Sequence, residues 1–227
     1  MEKHKRLIAM GDIHGCYHTM CDLFRKIEYS SETDTLVFIG DYIDRGPYSA
    51  KVVETIRLLQ RQAGRDKVVC LKGNHEKFAI DNDGIVDPLW AWNGGMQTVM
   101  SYDENPAQLR SDIAWFRSLS LYYEADDTIF CHAGLTHPRL ADNSEDDLLW
   151  GRDWIFDDER KREKFVVFGH TPSDSGMPYK SKSGDLCIDG GCVYEGSLCA
   201  YVKDLESGEV KIHGVPQSEK DKGGTDQ

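Results

Sequence analysis

Five short segments gather residue types that bind metal ions and phosphate: Gly11-Asp12-Ile13-His14-Gly15, Gly40-Asp41-Tyr42-Ile43-Asp44-Arg45-Gly46, Gly73-Asn74-His75-Glu76, Cys131-His132-Ala133-Gly134 and Phe168-Gly169-His170-Thr171. Their carboxylate, imidazole and amide donors suit Mn²⁺, Fe or Zn²⁺ rather than a soft-metal site. Asp12 and His14 are two residues apart, so an extended segment aims both at one point. The flanking glycines permit sharp turns and close backbone approach, letting short side chains converge. Two ions about 3.5–4 Å apart need a shared carboxylate, and together they clamp the attacking and leaving oxygens of a phosphoryl group. The chemistry these donors predict is metal-assisted phosphoryl transfer.

The elements between the motifs are of the kind that would position them. Apolar runs at 6–10, 35–39 and 67–71 read as buried strands bounded by Gly or Asp. Between them, residues 17–27 carry Met20, Leu23, Phe24 and Ile27 at helical spacing, and residues 49–62 carry Val52, Val53, Ile56 and Leu59. Strand–helix alternation implies a largely parallel sheet, with ligands gathered at the carboxyl ends of its strands. Residues 88–119 read as helical and aromatic-rich, with Trp90 and Trp92 assigned to the core and Trp92 alternatively lining a site mouth. Strands are predicted again at 121–124, 128–132, 165–169, 185–188, 198–202 and 210–212, the last two joined by a hairpin turn at Gly208. Cys131 precedes His132 on a strand, so its side chain should face the opposite way, into the core. The expected fold is α/β, two packed mixed β-sheets flanked by helices, in one domain over residues 1–215. Residues 216–227 end in SEKDKGGTDQ, without an apolar side chain, and are expected to form a flexible polar tail.

Charge narrows the partners. Twenty-seven basic against 39 acidic residues give a formal charge of −12, a field that disfavours nucleic acid and anionic membranes. No apolar run reaches the roughly 18 residues of a membrane span. Seven cysteines, an odd number without zinc-site spacing, read as free thiols of a reducing cytoplasm. No feature of the sequence specifies an oligomeric state.

In this order the motifs GDIHG, GDYIDRG, GNHE, HAG and GHT resemble the phosphoprotein-phosphatase family, and within it the compact bacterial and bacteriophage lambda type. The likeness runs from Gly11 to about Tyr201 and includes WNGG at 92–95, LLWGR at 148–152 and IDGG at 188–191. It implies a calcineurin-like metallophosphoesterase architecture with two divalent ions, Mn²⁺ first, with Fe or Zn²⁺ as alternatives. Asp12 and His14 would then hold the first ion, Asp41 would bridge, and Asn74, His132 and His170 would hold the second. His75, paired with Asp44, would act as general acid, while Arg45 and Arg152 grip the phosphate. A water bridging the metals would attack phosphorus in line.

The implied reaction is hydrolysis of phosphate monoesters, with phosphoserine and phosphothreonine in proteins as the leading substrates and phosphotyrosine or small phosphoesters as further ones. The related dinucleoside polyphosphate hydrolases, which cleave diadenosine tetraphosphate, typically lack an aspartate at the Asp44 position and carry aspartate where this chain has Glu76. A silent phospho-binding scaffold would be missing ligands, and none is missing here. Two departures from the family stand out. Lys72 takes the place of an arginine before GNHE, keeping the charge without the planar fork. The late tyrosine-bearing segment of the longer eukaryotic members finds no counterpart after Gly191.

Overall fold

The computed structural model describes residues 5–103, 105–125 and 127–222. Strands β1 (Arg6–Met10), β2 (Asp34–Phe38) and β3 (Val68–Cys70) run parallel, connected by helices α1 (Tyr17–Lys26) and α2 (Ser49–Ala63). The two-residue period of a strand decides which way each side chain faces. Ile8, Met10, Leu36 and Phe38 pack with Met20, Leu23, Val52, Val53 and Ile56 of the helices. Leu7, Ala9, Val37 and Ile39 point the other way, against Phe130 and Val167 of a second sheet.

Helix α3 (Asn74–Asp81), not expected from the sequence, follows β3, and the span expected to be helical, 88–119, contains α4 (Pro88–Trp92), α5 (Gly95–Ser101) and α6 (Pro106–Phe116). Two of these starts follow local rules. Asp87 and Asn105 accept the backbone N–H groups of Trp90 and Gln108, and Pro88 and Pro106 occupy first helical positions, where a missing N–H costs nothing.

The second sheet is built from β4 (Tyr122–Glu124), β5 (Thr128–Cys131), β6 (Phe165–Phe168), β7 (Tyr179–Lys180) and β8 (Leu186–Cys187), in the order β4-β5-β6-β8-β7. Its outer face, including Ile129, Cys131, Val166 and Phe168, is covered by Leu148 of α7 (Glu145–Trp150) and by Trp154 and Ile155 of α8 (Trp154–Asp157). Cys131 therefore faces the core, opposite to His132. Strands β9 (Asp189–Gly190), β10 (Ser197–Asp204) and β11 (Val210–Pro216) complete the first sheet, ordered β11-β10-β1-β2-β3 with β9 on β10. The fold is α/β, two packed mixed sheets flanked by helices.

Two expectations need correction. The strand at 185–188 is shorter, Leu186–Cys187, which pairs with β6, and an unexpected strand, Asp189–Gly190, follows it and pairs with β10. The chain crosses between sheets at the buried Ile188, which delivers Asp189 to the cleft where the sheets meet. The tail also starts later than its polarity suggested. Gln217 and Asp221 are buried, because Asp221 accepts hydrogen bonds from α1 and Gln217 donates its backbone N–H to Gly196. The remainder of that tail, 223–227, lies outside the described residues. All seven cysteines carry free thiols, and among the described residues no helix is long and apolar enough to cross a membrane.

Candidate metal centre

The parallel strands deliver their following loops to one edge of the sandwich, and the loops are held in costly conformations. Among the described residues eight non-glycine residues have positive φ, and five of them are His14, Asp41, Asp44, Arg45 and His170. Such conformations cost about 1–3 kcal/mol each and persist only where the surroundings enforce them. Two glycines are required by close approach. A Cβ on Gly169 would overlap Asp12 Oδ1, and one on Gly73 would overlap Asp41 Oδ1.

Four donor atoms from four segments lie around one point. Asn74 Oδ1 is 2.8 Å from His132 Nε2 and 2.8 Å from His170 Nδ1, and the two nitrogens are 3.2 Å apart. Asp41 Oδ1 is 3.4 Å from His132 Nε2. Donors bound at about 2.0–2.2 Å to a common ion lie roughly 3–3.5 Å from each other, so this spacing fits a single cation. The other oxygen of Asp41 turns toward the first loop, 3.4 Å from His14 Nε2. Asp41 thus stands between both clusters, as a bridging carboxylate must.

The imidazoles are set up as ligands. His14 Nδ1 donates to Ile43 O at 2.8 Å and His132 Nδ1 to Ile39 O at 3.0 Å, leaving each Nε2 lone pair aimed at the cluster. Burial lowers the pKa of His14, His132 and His170, the last to about 2, with the charges of Arg45 near His14 and Arg152 near His132 and His170 acting in the same direction. Neutral imidazoles are what a metal requires. Two of the carboxylates are short of counter-charge: burial, then Asp189 and Asp41, pushes Asp12 well above its usual range, and burial lifts Asp189 to about 6. Asp12 Oδ1 and His170 Nε2 are buried without a hydrogen-bond partner. The unpartnered Asp12 oxygen, beside neutral histidines, fits a divalent cation, whereas His170 presents its other nitrogen, Nδ1, to the donor cluster.

Among the described residues two groups of histidine and carboxylate donors lie within 4.8 Å: His14–Asp41–His75 and Asp41–His132–His170. Asp12 is in neither group, while His75, expected to be free of metal, is in the first. His75 Nε2 lies 3.9 Å from Asp41 Oδ2, but its Nδ1 is committed to Asp44 Oδ2 at 2.6 Å. Asp44 is fully buried and also accepts from Trp90 Nε1 at 2.8 Å and Thr98 Oγ1 at 2.5 Å. Arg45 Nη1 approaches His14 Nε2 at 2.5 Å, whereas Arg152 is exposed. Lys72 pairs with Glu145 at 3.2 Å, and Trp92 is 89% exposed rather than in the core.

The sequence reading missed the supporting roles of several residues at the site. Glu76 ties two loops together by accepting the backbone N–H groups of Asp41, Gly73 and Tyr42 at 2.8–2.9 Å; an acid three residues into a helix was the available signal. Trp90 was placed in the core, where it is, but nothing local revealed that its indole N–H serves Asp44. Thr98 gave no signal. Tyr194 gave no signal either, and its ring centre lies 5.3 Å from the Arg45 guanidinium carbon.

The sequence profile of calcineurin-like phosphoesterases matches residues 5–204. The chain belongs to that family. As a calcineurin-like phosphoesterase it is a metal-dependent hydrolase. It is 27% identical to a bis(5′-nucleosyl)-tetraphosphatase of Anoxybacillus flavithermus, over 92% of this chain and 93% of that one. It is also 27% identical to serine/threonine-protein phosphatase 1 of Salmonella typhimurium, over 84% and 88%. A solved serine/threonine phosphatase from Saccharomyces cerevisiae shares the fold, with a TM-score of 0.71, 17% identity, and coverage of 96% and 82%.

Proposed function

We propose that this phosphoesterase is a two-metal protein phosphatase acting on phosphoserine and phosphothreonine. The observation that carries the reading is the buried Asp44–His75 pair, with the aspartate held by Trp90 and Thr98. An imidazole fixed through Nδ1 keeps Nε2 facing the donor cluster, where a monoester's leaving oxygen must collect a proton. Asp12, His14 and Asp41 would hold one ion, and Asp41, Asn74, His132 and His170 the other. When bound, the ions, Mn²⁺ first, supply Lewis acidity and a water of lowered pKa. Arg45, backed by the Tyr194 ring, orients the phosphate by charge-assisted hydrogen bonds, and Arg152 closes the opposite rim.

A second reading, hydrolysis of dinucleoside tetraphosphates, is favoured by the likeness to the Anoxybacillus tetraphosphatase along nearly the whole chain. Asp44 and Glu76 argue against it, because the related tetraphosphatases typically differ at both positions. The test is kcat/KM of the Mn²⁺-supplemented enzyme on phosphoserine, phosphothreonine and phosphotyrosine peptides and on diadenosine tetraphosphate. Serine and threonine peptides are expected to lead. Diadenosine tetraphosphate in first place supports the second reading, and no turnover of any of them supports a phospho-binding scaffold.

A further inference from the structure

The segment 217–221 lies beyond the residues matched by the family profile, yet it bonds to the start of the helix that follows the Asp12–His14 loop. Helix α1 begins three residues after His14, and the residue at its N-cap is Cys16, whose side chain makes no capping hydrogen bond. Free N–H groups of a helix's first turn need acceptors. Asp221 supplies them from the other end of the chain: Oδ1 accepts His18 N at 3.1 Å, and Oδ2 accepts Thr19 N at 2.7 Å and Thr19 Oγ1 at 2.6 Å. Ser218 N in turn donates to Thr19 Oγ1 at 2.9 Å. The carboxylate also places negative charge at the positive end of α1.

From that anchored turn the connections run straight into the ligand loop. Tyr17 N donates to Gly15 O and Cys16 N to Ile13 O, while Ile13 N and His14 N donate to Asp41 O. His14 itself sits at a φ of 45°, a conformation its neighbours must enforce. The same segment holds a second loop: Gln217 N donates to Gly196 O, closing the turn that carries Tyr194 toward Arg45.

We propose that residues 217–221 are a strap that sets the metal-binding geometry of the Asp12–His14 loop, with Asp221 as its positioning residue. The inference rests on the metal reading above but not on the choice of substrate. The test is a Mn²⁺ titration of the full-length protein, followed by electron paramagnetic resonance, with thermal melts alongside. His14→Ala and Asn74→Ala define which binding step belongs to which cluster. Asp221→Ala is expected to weaken the step that His14→Ala abolishes by about 3- to 30-fold, the range for a lost N-cap, and to spare the other step. Asp221→Asn keeps a neutral acceptor and should lose less. It also decides the matter by the same criterion if the alanine variant does not fold. Unchanged Mn²⁺ binding with a lower Tm, or equal weakening of both steps, overturns the strap as a positioning element. A native protein with fewer than two Mn²⁺ steps overturns the metal reading itself, and the inference with it.

Discussion

His75 stands where a general acid and a metal ligand would both stand, and one substitution separates the two roles. Its Nε2 is 3.9 Å from Asp41 Oδ2, close enough to join the first donor group, while its Nδ1 bonds Asp44 at 2.6 Å. A proton delivered to the leaving oxygen contributes about 10²–10⁴ in rate, so His75→Asn should lower kcat by that factor on an alkyl or phenyl phosphate. The loss should shrink as the leaving group becomes more acidic, because a nitrophenolate departs with little protonation.

Asp44→Asn tests the same assignment from behind. The bond it weakens is buried and charge-assisted, worth about 1.5–3 kcal/mol. At about 1.4 kcal/mol per decade that is roughly a 10- to 150-fold loss with the same leaving-group trend. Trp90→Phe removes one of the donors that hold Asp44 and should show the trend more weakly still. The assay is kcat across a series of aryl phosphates, with metal content determined by elemental analysis for each variant. Equal losses across the series, or one metal missing from His75→Asn, refutes the acid role and makes His75 a ligand.

Chelation should abolish turnover and Mn²⁺ restore it; Asp41→Asn should deplete both ions together, and elemental analysis showing loss of one alone would remove Asp41 from the bridging position. Glu76→Gln sets an amide against three backbone N–H groups and should cost about 1–3 kcal/mol, lowering Tm by roughly 3–10 °C in a calorimetric scan. Gly169→Ala forces a Cβ onto Asp12 Oδ1 and should weaken Mn²⁺ binding in a titration of the folded protein; native affinity there would show that Asp12 is not held where the structure has it. Arg45→Ala should weaken inhibition by inorganic phosphate with both metals retained, and inhibition constants equal to the native value would exclude Arg45 from the phosphate site.

What the sequence disclosed and what it hid differ in range. Each ligand motif is a contiguous run at the end of an apolar strand, so local rules about strands, glycines and donor chemistry suffice to find it. The groups that support those ligands are not local. Trp90 reaches Asp44 across 46 residues, Thr98 across 54, and Asp221 reaches Thr19 across 202. Periodicity says that Trp90 is buried, and it is, but burial leaves the partner of its N–H undetermined. The extra strand after Ile188 hides for a related reason: only the pairing reveals that Asp189–Gly190 belongs to a different sheet from Leu186–Cys187. Polarity misled outright at the C-terminus. Composition assigns Ser218–Asp221 to solvent on the assumption that buried charge is too costly. That cost falls away when the fold offers several donors to one carboxylate, as the first turn of α1 does for Asp221. A helix start with no capping side chain of its own is therefore the feature to look for in deciding whether a polar terminus is structural, and α1 after Cys16 carries it in plain sequence.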